Sequence, residues 1–259
     1  GIYYLDGTAD GAFDVILSAL GLSIYQAGSQ EKENFSVYGD FTYALNDQWS
    51  VSLGGRYTED KTTADVLREA WLGLGTGSFD PSNTTSVFLV TQTDYQGVER
   101  KDDQFTPRVS VSYKPTDDLN IYATYAQGFK AGGFDPRARE DLDPTGLSRQ
   151  GFGPEQVDSY ELGVKGSFFG DSLLLNTAVF FADYTDQQIT VQSGADTDND
   201  GINDTFVSSV FNAGASEYKG LEIEGTWFAT DNLTLFATLG YIDAEITEIL
   251  SGGTNVASS

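Results

Sequence analysis

The residues with the clearest potential for chemistry lie in one short acidic segment. Carboxylates recur there at alternate positions and again at its end, at Asp196, Asp198, Asp200 and Asp204. Alternate carboxylates direct their oxygens toward one point, and Gly201 at the sixth position permits a sharp turn, as in the first half of a calcium-binding loop. Val207 stands where such a loop has its bidentate Glu. The pattern predicts a weak Ca²⁺ site, with a merely solvated acidic loop as the alternative, and no other cofactor is expected.

Five cationic side chains are candidates for contact with a ligand that carries negative charge. Three of them flank a Gly-Gly pair in an otherwise acidic stretch, namely Lys130, Arg137 and Arg139. The other two, Arg56 and Arg108, lie on the polar face of predicted strands. Solvated loop charge is the alternative for the first three, and pairing with carboxylates such as Asp40 or Glu222 is the alternative for the other two.

The composition argues against catalysis and against nucleic acid as a partner. The chain has no His and no Cys, which removes the commonest general base, metal ligand and thiolate. Glu222 and Glu224 stand two apart on one strand face, at roughly glycosidase spacing, but nothing in the sequence suggests a cleft around them. The net charge of −25 is opposite to what phosphate binding needs. We therefore expect a protein that is not an enzyme and binds no nucleic acid.

The elements that carry these residues alternate between very short polar turns and long acidic stretches. The turns are centred on 46–48, 116–118, 170–172 and 230–232, and the long polar stretches cover 61–103, 131–156 and 192–205. Small polar residues of this kind favour tight hairpin connections. Strands are predicted at 34–45, 49–60, 104–115, 119–130, 157–169, 173–191, 206–229 and 233–249, with a partial strand at the start.

Within these strands apolar and polar residues alternate, as a pleated strand with two different faces requires. In the first pair Phe41 and Leu53 belong to the apolar face, and Asp40 and Arg56 belong to the polar face. A lipid-facing charge at the bilayer midplane costs about 2–4 kcal/mol. The charges near the turns all keep to the polar face, at Asp40, Arg56, Arg108, Lys114, Glu161, Lys165, Glu222 and Glu224.

Aromatic residues cluster beside the short turns, as in an interfacial girdle. They are Tyr43, Trp49, Tyr113, Tyr122, Phe168, Phe169, Trp227, Phe228 and Phe236. The strands are about twice the usual 5–6 residues of soluble sheets. The sequence thus predicts an all-β fold, an antiparallel transmembrane β-barrel with short periplasmic turns and long extracellular loops. A soluble β-sandwich or propeller with one apolar face per strand is the alternative.

Three stretches resemble the barrel of TonB-dependent outer-membrane receptors, in particular those that take up iron-siderophore complexes. They are IYATYAQGFKAGGFDP at 121–136, VDSYELGVKG at 157–166 and FNAGASEYKGLEIEGTWFATDNLTLFATLGYIDAEI at 211–246. The similarity begins at 33–43 and continues through nearly all of the chain. The resemblance implies a barrel of about 22 strands, of which about nine are present. We therefore expect 1–259 to be a middle segment of such a barrel domain, without the plug or the terminal strands.

The resemblance also implies a function and a location. Such receptors lie in the bacterial outer membrane, among lipid and lipopolysaccharide, and import a ferric siderophore or similar large ligand with energy delivered to the plug by the TonB complex. The acidic loops fit a cationic or neutral ligand better than a bare anion. Two alternatives stay open, a passive outer-membrane channel or adhesive barrel, and a soluble β-rich binding domain.

Overall fold

The computed structural model describes residues 1–143, 146–195, 201–203, 205–251 and 254–255. Ten strands make up almost all of this part of the chain. Their bounds are β1 (Ile2–Leu17), β2 (Leu22–Ala44), β3 (Trp49–Leu72), β4 (Val87–Thr116), β5 (Leu119–Lys130), β6 (Glu155–Phe168), β7 (Leu173–Ala195), β8 (Thr205–Thr230), β9 (Leu233–Ser251) and β10 (Thr254–Asn255). The described helices are a single α-turn at Leu147–Gln150 and two 3₁₀ turns at Ser18–Leu20 and Glu140–Leu142. None of them is long enough to span a membrane.

The strands form one antiparallel sheet in which every strand pairs with its neighbours in sequence. The connections at one end are 45–48, 117–118, 169–172 and 231–232, and we call this the turn end. The opposite end, the loop end, carries the connections 18–21, 73–86, 131–154 and 196–204. All four predicted turns are confirmed. The sheet is an open arc rather than a closed barrel, because its first and last strands do not pair.

Two predictions about the loop end were wrong. The stretch 61–103 was expected to be a loop, but β3 continues to Leu72 and β4 begins at Val87, which leaves a loop of 73–86. The strand predicted at 34–45 begins earlier, at Leu22, and a short connection of 18–21 joins it to β1. The extra residues continue the pairing of β3 with β4, for example Lys61 with Lys101, and this extension contains three shifts of register between Ala64 and Trp71. They lack apolar alternation because a strand beyond the bilayer has water on its outer side.

Near the turn end the outer face of the sheet is apolar and uncovered. Phe41, Leu53 and Leu162 are each more than half exposed, and their cross-strand partners on the same face include Val109 and Val179. A soluble sandwich would bury these side chains in a core. Their exposure fits contact with hydrocarbon, and about 9–11 tilted strand residues are enough to cross a bilayer. The soluble alternative is therefore excluded.

The strands are much longer than this crossing requires, since β2 has 23 residues and β4 has 30. Just beyond the apolar band, the outer face becomes ionic. The ammonium of Lys61 lies 3.2 Å from a carboxylate oxygen of Glu33 and 3.2 Å from one of Glu99. These contacts raise the pKa of Lys61. This ionic row marks where the outer face leaves the hydrocarbon and enters water.

The predicted aromatic girdle is only partly present. Trp49 and Tyr113 lie opposite each other on the outer face, with ring centroids 4.4 Å apart. Tyr122 and Phe236 point to the inner face instead, because they pair with the inward residues Gly163 and Thr226. The Tyr122 ring lies over Gly163, where a Cβ would come within 2.4 Å of the ring. Tyr122 thus covers a cross-strand glycine on the inner face instead of contacting lipid.

Candidate functional site: the inner wall and its inward-folded loop

The inner face of the sheet carries most of the polar and charged side chains in the part that would cross the membrane. Asp40, Arg56 and Arg108 all lie on it, opposite Gly54, Thr106 and Ala126 respectively. Glu161, Glu222 and Glu224 occupy the same face on β6 and β8. The prediction that charges near the turns keep one face is confirmed for these six residues. The two faces therefore have opposite polarity, as in a wall between lipid and a water-filled lumen.

At the loop end, the connection 131–154 folds inward and covers this wall. Gln26 donates to the carbonyl of Pro136 at 2.7 Å, and Gln30 donates to that of Phe134 at 3.1 Å. Thr93 donates to the carbonyl of Ala138 at 2.6 Å. We call residues 131–143 the inner loop. Its contacts reach β2 and β4 across more than 40 positions in sequence, so it is a docked element of the wall.

The inner loop and the wall enclose the main cluster of buried apolar residues in the described part of the chain. Ala64, Val66 and Tyr95 of the wall and Phe134 and Ala138 of the loop are each at most 3% exposed. Ala64 and Val66 are small enough to leave room for the loop between the larger wall side chains. Burial of this apolar surface stabilises the docked loop at about 25 cal/mol per Å².

Gly132 is required at the point where the inner loop leaves β5. Its N–H donates to the carboxylate of Asp102 at 3.0 Å. A Cβ at this position would come within 2.3 Å of the carbonyl oxygen of Phe152 and 2.9 Å of the Asp102 carboxylate. The approach of backbone to backbone is too close for any side chain. The Gly-Gly pair of the sequence is therefore a packing feature.

Two amides of the far strands fix the base of the connection 131–154. Gln188 donates to the carbonyls of Ala131 at 2.9 Å and Gly153 at 3.0 Å. Asn212 donates to the carbonyls of Gly153 and Asp186 at 2.9 and 2.8 Å and accepts from the N–H of Gly153. Each amide satisfies several backbone groups that a loop would otherwise leave unpaired in a partly buried place.

Two of the predicted cationic residues hold the inner loop in shape. Arg137 contacts Asp135 through two nitrogens, at 3.0 and 3.1 Å, and this hydrogen bonding raises the pKa of Arg137. Asp135 is buried and also accepts from the N–H of Val210 at 2.9 Å. Arg139 contacts Asp141 through two nitrogens, both at 2.7 Å. Each guanidinium is therefore already matched by a carboxylate two residues away.

Burial beneath the inner loop changes the titration of two wall residues. Burial lowers the pKa of the Arg68 guanidinium, and the nearby charge of Arg139 adds to this effect. Arg68 donates to Gln92 at 2.9 Å and to the carbonyl of Arg137 at 3.3 Å. Burial raises the pKa of the Tyr95 phenol, with a contribution from Asp135. The Tyr95 hydroxyl has no hydrogen-bond partner among the described residues.

The remaining predicted cations have different surroundings. Lys130 is exposed at the end of β5, before the inner loop begins. Arg108 lies 3.9 Å from Asp40, which matches the pairing alternative, although both side chains are about half exposed. Arg56 contacts the hydroxyls of Ser36 and Thr58 and has no salt bridge within the described part of the chain. The structure thus separates Arg56 from Arg108, Arg137 and Arg139, each of which lies near a carboxylate.

The predicted calcium ligands Asp196, Asp198, Asp200 and Asp204 lie outside the described residues. Within the described residues no group of three or more acidic side chains is placed to hold a metal ion. The calcium site stays a prediction.

Sequence reasoning missed the residues that dock the inner loop. Gln26, Gln30, Gln188 and Asn212 are ordinary strand residues in the sequence, and their partners are 26 to 110 positions away. The only available signal was their position on the inward face at the loop end. A polar amide on that face is equally suited to contact with water, so the pattern could not distinguish the two.

Comparison with known proteins identifies the family to which this chain belongs. The family model "TonB dependent receptor-like, beta-barrel" matches residues 1–258. The chain therefore belongs to this family, whose members are outer-membrane β-barrels of Gram-negative bacteria. The predicted resemblance and location are confirmed, and the family is one of transport receptors rather than enzymes.

Individual relatives agree with this assignment. The chain is 27% identical over 201 residues to the pesticin receptor of Yersinia pestis, covering 77% of this chain and 24% of that protein. It is 26% identical over 204 residues to the metal-pseudopaline receptor CntO of Pseudomonas aeruginosa, covering 79% of this chain and 23% of that protein. The chain thus spans about a quarter of the length of the curated relatives that it matches.

Solved structures share the fold. The ferric yersiniabactin uptake receptor FyuA of Yersinia pestis superimposes with a TM-score of 0.67 at 21% identity, covering 95% of this chain and 32% of that one. The ferric-catecholate import receptor Fiu of E. coli K12 gives a TM-score of 0.58 at 14% identity, covering 96% of this chain and 39% of that one. In both, the matched region is a part of a larger barrel chain.

Proposed function

We propose that this chain forms part of the wall of an outer-membrane receptor that binds and imports a ferric siderophore or a similar large metal complex with TonB-derived energy. The observation that carries the proposal is the family match over 1–258. The printed names of relatives support the ligand class, since they include a metal-pseudopaline receptor and a ferric yersiniabactin uptake receptor. We further propose that 1–259 is a segment of the barrel domain and that the plug, which contacts the TonB complex, is a different part of the receptor.

In this proposal the inner loop is the part of the chain that meets the ligand. It lies inside the wall at the loop end, where an incoming molecule enters the lumen. Arg137 and Arg139 shape the loop, Lys130 stands at its base, and Arg56 and Arg108 line the wall below it. The chain has 39 acidic and 14 basic residues, which favours a cationic or neutral ligand over an anionic one.

The proposal is tested by growth of a strain that lacks the full-length receptor gene. We expect the deletion strain to lose growth on one metal source in a panel of ferric siderophores and metallophore complexes. A plasmid copy should restore this growth only when the strain has a functional TonB protein. Restoration without TonB would indicate a passive channel. Unchanged growth of the deletion strain on every source would contradict the proposal.

The membrane partners can be tested on the same receptor. Outer-membrane lipid covers the apolar band in this proposal, and lipopolysaccharide surrounds the ionic row above it, at Glu33, Lys61 and Glu99. Mass spectrometry of the receptor extracted in mild detergent should therefore show retained lipopolysaccharide. Complete loss of lipopolysaccharide under conditions that retain phospholipid would contradict this part of the proposal.

A further inference from the structure

A hollow of about 510 Å³ opens on the outer face of the sheet, across β4 to β7. We call it the outer hollow. The surface dips there because Ala123 has only a methyl group, whereas its cross-strand partners are the longer Val111 and Leu162. Val109, Leu162 and Val179 contribute apolar side chains to the lining. The outer hollow is therefore a depression in the apolar band that contacts hydrocarbon, and it suits an apolar chain.

Aromatic rings border the outer hollow on the side of the loop end. Tyr125, Tyr160 and Phe181 lie opposite one another on three neighbouring strands, with ring centroids 5.2 and 6.3 Å apart. Each ring is two residues nearer to the loop end than the small or aliphatic residue on its strand, at Ala123, Leu162 and Val179. Aromatic residues on a lipid-facing surface concentrate where hydrocarbon meets headgroups. The outer hollow thus ends at the height of the headgroups of the outer leaflet.

Two carboxylates stand directly above this aromatic row. Asp158 and Asp183 lie opposite each other on the outer face, two residues beyond Tyr160 and Phe181, which is about 7 Å along a strand. Asp158 accepts a hydrogen bond from the Tyr125 hydroxyl at 2.6 Å. Neither carboxylate forms a salt bridge within the part of the chain that the structure describes. Like charges that face each other across two strands repel, and a cation between them would remove the repulsion.

The outer face beside these carboxylates is also acidic. On β8 and β9 it carries Glu217, Asp243 and Glu245 at a similar height. Lys219 lies among them, but its ammonium is 3.3 Å from a carboxylate oxygen of Asp243 and is therefore already matched. Phosphate groups, including those of lipopolysaccharide, bind where Lys or Arg side chains are free. This sector of the outer face therefore favours a headgroup that carries a cation.

We propose that the outer hollow binds one acyl chain of a phospholipid whose headgroup carries a primary ammonium, and that this ammonium contacts Asp158 and Asp183. The acyl chain follows from continuity with the apolar band, and the ammonium follows from charge complementarity with two unpaired carboxylates. A primary ammonium has three N–H donors, enough to serve both carboxylates. The inference depends on the barrel fold and is independent of import, so a failure of the growth experiment above would leave it unaffected.

The test is native mass spectrometry of the full-length receptor in mild detergent, with phosphatidylethanolamine and phosphatidylglycerol of identical acyl chains as probes. We expect one phosphatidylethanolamine to bind about tenfold more tightly than phosphatidylglycerol, because the anionic headgroup meets carboxylates of its own sign. Equal affinity of the two lipids would overturn the proposal. Displacement of phosphatidylethanolamine by an equal concentration of lipopolysaccharide would also overturn it, since lipopolysaccharide would then be the occupant.

A substitution that fills the outer hollow locates the bound lipid. Ala123→Leu extends the side chain into the hollow without changing any charge. Ala237→Leu makes the same change on the outer face of β9 and is the matched control. We expect Ala123→Leu to lose the bound phosphatidylethanolamine and Ala237→Leu to retain it. Retention in both variants would contradict the assignment of the hollow.

A second pair of variants measures the contribution of the carboxylates. Asp158→Asn together with Asp183→Asn removes both charges and leaves an amide oxygen as acceptor for the Tyr125 hydroxyl. We expect the preference for phosphatidylethanolamine over phosphatidylglycerol to fall from about tenfold to less than about twofold. Asp6→Asn, on the outer face of β1, is the control and should leave the preference unchanged. An unchanged preference in the double variant would contradict a contact between the ammonium and these carboxylates.

Discussion

At the scale of single residues, the inner loop depends on a few side chains that are buried against the wall. Tyr95 shows the balance most clearly, because its ring packs beside Phe134 while its hydroxyl lacks a partner among the described residues. The ring stabilises the loop by removing apolar surface from water, and the hydroxyl opposes this effect because it loses hydration without replacement.

The effect of each part of Tyr95 can be measured separately. Tyr95→Phe should leave the opening free energy of the inner loop unchanged or raise it by about 1 kcal/mol, because a buried unsatisfied hydroxyl is removed. Tyr95→Ala should lower it by about 3 kcal/mol through the cavity it leaves. Hydrogen exchange of loop amides in the full-length receptor gives both values. If Tyr95→Phe lowered the opening free energy of the inner loop as much as Tyr95→Ala, the hydroxyl would have an essential partner.

The predicted calcium loop belongs to the same scale. Directly excited terbium luminescence should report binding that calcium competes away with an affinity of about 10⁻⁴ to 10⁻³ M. Asp198→Asn should weaken this binding, and Asp117→Asn, in a turn at the other end of the sheet, should not. Equal binding by both variants would favour the solvated acidic loop.

At the scale of elements, hairpins were predictable and the docking of long connections was not. The four turns follow from local chemistry, since small polar residues separate two alternating runs. The strand extensions of β3 and β4 were missed because the alternation on which the prediction depended comes from lipid. Beyond the ionic row around Lys61, both faces tolerate polar residues, and only cross-strand pairing shows that the chain is still a strand.

The fold of the inner loop was equally inaccessible from the sequence. The pair Gly132-Gly133 was noted in the sequence, but its role depends on Asp102 and Phe152, which approach it only in the folded chain. The candidate cations Arg137 and Arg139 were found because of their charge. Their pairing with Asp135 and Asp141 is local, whereas the burial of Asp135 is a consequence of the docked loop.

Gly132 provides the test of docking at this scale. Gly132→Ala places a methyl group against backbone and carboxylate atoms, so we expect the inner loop to detach from the wall. Trypsin should then cleave the full-length receptor after Arg137 or Arg139 much faster than in the unchanged protein. Gly240→Ala is the matched control, because a Cβ at Gly240 meets no atom within 4 Å. If Gly132→Ala resisted trypsin, the wall would have shifted to accept the methyl group and the inner loop would still be docked.

At the scale of the whole molecule, the outer face of the sheet contacts lipid and the inner face contacts water. Leu53 and Ser52 are neighbours in β3 that point to opposite faces. The alternation alone was sufficient to predict this difference, since a shift of one residue would exchange the faces of every side chain. The partial barrel was therefore predictable from the alternation, and its family was indicated by the resemblance of three stretches at 121–136, 157–166 and 211–246. The identity of the ligand depends on parts of the receptor that neither of these describes.

An arginine scan of these two positions measures the difference in solvent. Leu53→Arg should reduce assembly of the full-length receptor into the outer membrane, because a lipid-facing Arg near the midplane costs about 2–4 kcal/mol. Ser52→Arg should assemble nearly normally, since its side chain reaches the lumen. The measurement is the amount of receptor in the outer-membrane fraction. Equal assembly of the two variants would contradict the assignment of the faces.

The excess length of the strands has an electrostatic consequence. The 13 residues of β2 from Leu22 to Asn34 lie beyond the apolar band, and at about 3.3 Å per residue and the usual barrel tilt they raise the loop end by roughly 30 Å. This height is several times the Debye length, which is about 8 Å in physiological salt. Charges at the rim are therefore independent of the field of the lipid headgroups. Because the chain has a net charge of −25, dissolved salt should weaken the first encounter with a cationic ligand while leaving the stability of the hydrocarbon-embedded wall unchanged.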